Sequence, residues 1–193
     1  MAKASTTRLA DIVEYPVQER LDYLLLVAAV AASDGLIHPD ELSLLNQWMD
    51  SFKLPGKSRE NVLAAANQSP LDLQKLEKRL ANSGLIYSLM LDMMGMAMAD
   101  GVLMDKEIEL LRDVAVALKL APLDFNILIE FVHSAHQASM LTNPEPLYEH
   151  NIDSAFELLR KRKVKLFPHT LLCSTSPAYD RRLKSRWLKF ASK

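Results

Sequence analysis

The chain has 193 residues, enough for one domain with its own core or one domain plus an appendage. Only five are Gly, while Ala, Leu, Met and Lys are plentiful, a composition that favours helices and disfavours a sheet. The formal net charge of −1 excludes a chain-wide attraction to polyanions, yet it averages two unlike parts: residues 1–149 carry 12 Lys and Arg against 21 Asp and Glu, and residues 150–193 carry 11 against 3.

The single cysteine, Cys173, has no partner for an internal disulfide, which fits a reducing compartment. The first eight residues are polar and lack an apolar signal core. The most apolar run, Leu24 to Ala32, is far shorter than the roughly 20 residues that span a bilayer. A soluble, cytoplasmic protein is the expectation.

In chain order, residues 1–15 read as an arm with a short helical piece from Leu9 to Glu14. Pro16 suits a first helical turn, with Gln18 and Glu19 complementing the helix N-terminus. The helix that follows is apolar on most faces through Leu21, Leu24, Leu25, Ala28 and Ala32, so it belongs at the centre. Gly35 supplies its left-handed end. Pro39 opens the next helix, with Leu42, Leu45, Met49 and Phe52 on one face. Lys53-Leu54-Pro55-Gly56 breaks it; Ser58 and Ser69-Pro70 are read as the starts of two further helices. After Gly84, Leu85 to Ala99 forms a second buried helix, its methionines adaptable core filler. Another amphipathic helix reaches Leu120, and a long one runs from Pro122 to about Leu141. Asn143-Pro144-Glu145-Pro146 marks a boundary, so the reading divides the chain into 1–15, 16–142 and 143–193. Beyond it, Ser154 to Val164 reads as a helix, Phe167 to Cys173 as extended, and Ser176-Pro177 as the start of a last amphipathic helix bearing Leu183, Trp187, Leu188 and Phe190.

One stretch occurs twice. Asp34-Gly35-Leu36-Ile37-His38-Pro39-Asp40-Glu41-Leu42-Ser43-Leu44-Leu45 returns 66 residues later as Asp100-Gly101-Val102-Leu103-Met104-Asp105-Lys106-Glu107-Ile108-Glu109-Leu110-Leu111. Five of the twelve positions are identical and three exchange one aliphatic side chain for another. Leu118-Lys119-Leu120-Ala121-Pro122 echoes Phe52-Lys53-Leu54-Pro55, which carries the repeat further. Each copy follows an apolar helix and opens an amphipathic one, so each reads as the corner of an αα-hairpin. An internally duplicated bundle, each apolar helix buried against its follower and its copy, is the expected architecture.

Two readings of the corners stand side by side. Asp34 and Asp100 sit at helix C-termini, where the dipole disfavours an acid unless N–H groups or a cation compensate. With Glu41 and Glu107 they would make a four-carboxylate set suited to Ca²⁺, or to Zn²⁺ if His38 joins. Alternatively Glu41 and Glu107 are capping-box acids in the first turn of a helix and nothing more. The stretch matches the back half of an EF-hand loop, but Val30, Ala32, Met96 and Met98 occupy the first and third ligand positions and cannot ligate. His38-Pro39-Asp40 spells the J-domain tripeptide without its context, and Pro39 reads as a first-turn proline. His133 and His136 are read as a partly buried, hydrogen-bonded pair. Cys173 with His169 lacks an organised base and oxyanion site. No phosphate loop or nucleophile elbow is present, and no catalytic residue is assigned.

On Ala31-Ala32-Ser33-Asp34-Gly35 to Glu41, and Ala97-Met98-Ala99-Asp100-Gly101 to Glu107, the chain resembles the TerB-like family: tellurite-resistance TerB proteins and the N-terminal domain of DjlA-type co-chaperones. The resemblance covers roughly residues 17–140. It implies an all-α domain with internal pseudo-symmetry, a divalent-metal site at Asp34, Glu41, Asp100 and Glu107, and a non-catalytic interaction or stress-response role. Residues 150–193 lie outside the pattern. Their basic groups, Arg160, Lys161, Arg162, Lys163, Arg181, Arg182, Lys184 and Arg186, with Trp187, either fold onto the acidic body or contact a partner: a protein, a second copy of the chain, nucleic acid or an anionic membrane.

Overall fold

The computed structural model describes residues 11–33, 35, 37–66, 75, 79–80, 84–98, 103–141, 145–164, 166, 181–186 and 189. The protein is all-α. After a 3₁₀ turn at Ile12–Glu14, its helices are α1 (Val17–Ala31), α2 (Pro39–Ser51), α3 (Gly56–Ala65), α4 (Ile86–Ala97), α5 (Asp105–Ala117), α6 (Pro122–Ser139) and α7 (Pro146–Lys161). Residues 75, 79–80, 181–186 and 189 are also helical. Among the described residues no helix is long and apolar enough to cross a membrane.

The two apolar helices lie at the centre. Every α4 residue from Ser88 to Ala97 is buried, as is most of α1. α1 packs against α4, against its follower α2 and against α3; α4 packs correspondingly against α5 and α6. Each fully buried Leu or Met side chain stabilises this arrangement by about 1.5–3 kcal/mol. Arg20, at the start of α1, donates from an Nη to the carbonyl of Phe52, the C-cap of α2. A cation therefore meets the negative end of α2, and the two helices run as an antiparallel hairpin.

Helix boundaries recur at the 66-residue spacing. α2 and α5 each have 13 residues, and their caps, His38 and Met104 at one end and Phe52 and Leu118 at the other, keep that spacing. α3 and α6 begin at Gly56 and Pro122. Both 13-residue helices end on a left-handed lysine, Lys53 at φ 49° and Lys119 at φ 58°. Around each, the N–H of the next residue reaches five residues back: Leu54 to the Met49 carbonyl at 3.2 Å, and Leu120 to the Ala115 carbonyl at 2.8 Å. Lysine is an uncommon choice for this conformation, but a cation placed after the last turn suits the negative end of a helix.

Three expected boundaries move. α3 starts at Gly56, behind Pro55 as N-cap, so Ser58 is helical and not a cap. Pro16 is the N-cap of α1, one place before the first turn. α7 begins at Pro146 and not at Ser154, because a proline needs no N–H partner at the first helical position and the Asn-Pro-Glu-Pro signal is itself the helix start. The expected extended segment from Phe167 to Cys173 lies outside the described residues, as do residues 187 and 188 of the expected last helix.

Two buried polar links cross the core. Tyr23 donates to Asp92 Oδ2 at 2.5 Å, joining α1 to α4, and both residues are fully buried. Asp22, also fully buried, accepts Arg79 Nε at 2.6 Å and an Arg79 Nη at 2.8 Å, with Gln18 donating at 2.8 Å. Burial first, then the charge and hydrogen bond of Asp92, then Tyr15, hold the Tyr23 hydroxyl well above the ordinary tyrosine pKa. An unfolded tyrosine loses its proton near pH ~10. Above that pH the unfolded chain binds fewer protons than the folded one, so this contribution to stability is complete below pH ~10 and falls as pH rises further. Tyr23→Phe is expected to cost about 1–3 kcal/mol at pH 8, because buried Asp92 loses a donor. It should also flatten the decline between pH 8 and pH 11 in urea melts; an unchanged decline would show that Tyr23 is not the titrating group.

Candidate functional site

The corners are built from the start of α2 and the start of α5. Glu41 is the third residue of α2 and Glu107 the third of α5; both are buried. Glu41 Oε2 accepts the backbone N–H of His38 at 2.8 Å, and Glu107 Oε2 accepts that of Met104 at 2.7 Å. Each acid closes the first turn of its helix, and in doing so has one carboxylate oxygen pinned and its plane fixed. The local sequence dictates this geometry: an extended residue at the N-cap, an acid three places on, and a helix former between.

The copies differ at the cap side chain. His38 Nδ1 faces the Asp40 N–H at 3.4 Å and Asp40 Oδ2 at 3.5 Å, and both side chains are exposed. Met104, exposed and apolar, makes no side-chain cap. Between α1 and α2, Gly35 has φ 98°, a conformation that only glycine adopts without strain. Asp34, Asp100 and Gly101 lie outside the described residues. Among the described residues, no group of three or more His, Cys, Asp and Glu converges as a metal site would require. A carboxylate set is nonetheless chemically suited to a hard divalent cation, and hydrogen bonds that orient a ligand oxygen are what such a site needs from its surroundings.

The basic segment divides by role. Arg162 Nε and an Nη both meet Asp124 Oδ2, at 2.9 and 2.8 Å, and the Tyr87 hydroxyl donates to the same oxygen at 2.6 Å. Asp124 is buried at the start of α6, so this knot ties the end of α7 to α4 and α6. Burial, then the hydrogen bond and charge of Asp124, push the Tyr87 hydroxyl far up, against a smaller opposing effect of Arg162. Lys161 pairs with Glu157 at 3.2 Å, and Arg160 and Lys163 are exposed, Lys163 as a left-handed helix end at φ 55°. Arg182 reaches Glu149 at 2.9 Å; Arg186 spans Glu149 and Asp153. Burial lowers the Arg186 pKa, but the hydrogen bonds and charges of Asp153 and Glu149 outweigh it, and the net shift is upward. Arg181 and Lys184 are exposed, and Trp187 lies outside the described residues.

A cavity of about 490 Å³ opens between α6 and α7, lined by Leu123, Ile127 and Leu158 with the Asp124–Arg162 and Glu157–Lys161 pairs. The acids and bases of this lining neutralise one another. Neither the Asp124 knot nor the Glu149–Asp153 face is legible in sequence, since their partners lie 37 or 38 and 33 or 37 residues away with no pattern to link them. His133 is exposed and His136 half-buried with its Nδ1 enclosed and without a hydrogen-bond partner, so the two do not form the hydrogen-bonded pair the spacing suggests.

Fold and corners define a class: an all-helical module in which apolar central helices turn, through acid-capped corners, into amphipathic ones. The family described as "Tellurite resistance protein TerB" matches residues 20–129, more than half of the chain, and the chain belongs to that family. No curated protein and no solved structure matches it.

Two outcomes follow from this geometry. Glu107→Gln keeps an acceptor for the Met104 N–H and should leave stability nearly unchanged, whereas Glu107→Ala should cost about 0.5–2 kcal/mol in a thermal or urea melt. Arg162→Ala should cost roughly 1–3 kcal/mol, because buried Asp124 is left with the tyrosine as its donor. A neutral Arg162→Ala would show that the knot does not hold α7 in place.

Proposed function

We propose that this protein is a non-enzymatic TerB-family module that binds a divalent cation, Ca²⁺ or Zn²⁺, at its paired Asp-Gly-x₅-Glu corners. In this reading it serves as a cytoplasmic protein-interaction component of a stress response. The module is assigned to residues 16–142 and the extension to 143–193. The observation that carries the reading is the matched state of Glu41 and Glu107: buried, at the same helical position, each oriented through one oxygen by a backbone N–H. Two identical, oriented acids at domain-scale spacing supply half of the carboxylate set, and Asp34 and Asp100 would supply the rest. Gene duplication accounts for the spacing, with the recurring helix boundaries as its support.

The alternative, an adaptor whose basic end binds a protein, nucleic acid or an anionic membrane, draws less support. Three of its arginines, Arg162, Arg182 and Arg186, are engaged with acids of the same chain.

The test separates ligation from capping. Calorimetric titration of the full chain with CaCl₂ and with ZnCl₂ should give saturable heat, and the melting temperature should rise with the cation that binds. Glu41→Gln/Glu107→Gln, which keeps both caps but removes two charges, should retain the fold and lose at least tenfold in affinity. Asp34→Asn/Asp100→Asn should do the same. No heat and no change in melting temperature with either cation would end the metal reading.

A further inference from the structure

The C-terminal end of the chain supplies an observation that is independent of the corners. On α7, Glu149 and Asp153 are four residues apart and share a helix face. On the described helical residues 181–186, Arg182 and Arg186 are likewise four apart, with Leu183 beside them. The two pairs meet: Arg182 on Glu149, Arg186 on both acids. Leu183 is fully buried and joins the main core, which also contains Ile152 and Phe156 of α7. An acidic helix face with an apolar floor thus holds a short basic helix by two charges and one leucine.

We propose that the Glu149–Asp153 face of α7 is a docking surface for a basic amphipathic helix with Arg-Leu-x-x-Arg spacing, and that residues 181–186 occupy it as the chain's own stand-in for a protein partner. The partner chemistry follows from charge complementarity: two carboxylates four residues apart match two guanidiniums four residues apart, and the planar Arg fork suits them better than Lys. The Arg182–Glu149 pair is half-exposed and salt-screened, whereas Arg186 against Glu149 and the buried Leu183 hold the occupant more firmly, so a displacing partner helix needs the same two arginines and leucine. A covalently attached occupant has a high effective concentration, so the surface responds only to partners that bind well above that threshold. Docking at this surface would release Arg182 and Arg186, coupling partner binding to exposure of the basic end.

The test uses the full chain and, as probe, a fluorescent peptide with the sequence of residues 178–190. Arg182→Glu/Arg186→Glu vacates the surface, and this variant should bind the peptide at least tenfold more tightly than wild type. The gain should shrink at 0.5 M NaCl. Adding Glu149→Lys/Asp153→Lys to that variant should abolish peptide binding, while circular dichroism verifies that each variant is folded. Equal binding by wild type and the vacated variant, or binding that survives reversal of Glu149 and Asp153, would overturn the proposal. So would a wild-type dimer in multi-angle light scattering that the Arg182→Glu/Arg186→Glu variant loses, since the occupant would then be a second copy.

Discussion

The structure depends on the burial of two helices that have no hydrophilic face. α1 and α4 bury most of their side chains, and each needs partners on most sides. They obtain it from one another and from the amphipathic helices that follow them: α2 and α3 around α1, α5 and α6 around α4. One buried polar pair, Tyr23 on Asp92, is joined across the same contact. A buried carboxylate with a single geometry for its donors restricts how two smooth, Ala- and Met-rich surfaces can slide. Everything else is positioned by this pair, including the two corners, which are simply where the chain leaves each central helix.

This explains how much of the molecule could be read from its residues. Helices, their order and the centrality of α1 and α4 follow from apolar content and from proline placement at Pro39 and Pro122. The lysine-terminated ends of α2 and α5 are foreshadowed by the Phe52-Lys53-Leu54 and Leu118-Lys119-Leu120 echo, since a recurring local sequence takes a recurring local conformation. The capping role of Glu41 and Glu107 is legible for the same reason: it involves only residues within one turn. What escapes is whatever joins distant segments. Nothing near Asp124 announces Tyr87 or Arg162, and nothing near Glu149 announces Arg186. The start of α7 differs from the expected Ser154 because Pro146, the second proline of the boundary signal, opens the helix.

The corners and the extension use charge in opposite ways. At the corners, acids are buried and oriented, a costly arrangement unless backbone N–H groups or a cation repay it. Along α7, Glu149 and Asp153 stay at the surface and are paired with arginines from later in the same chain. The acidic body and the basic end are therefore not two independent electrostatic tails. Arg162 is fixed into the body through Asp124, and Arg182 and Arg186 are folded back on α7, so the +8 excess of the last 44 residues overstates what the surface presents.

The proposed cation site is one site shared by the two corners. Its most direct measurement is paramagnetic broadening by Mn²⁺ in the amide spectrum of the ¹⁵N-labelled full chain, competed with Ca²⁺ or Zn²⁺. A single site built from both turns predicts that the Gly35 and Gly101 amide signals broaden together at substoichiometric Mn²⁺ and recover together on competition. Broadening confined to one corner, or spread over the acidic surface without either glycine standing out, would contradict it.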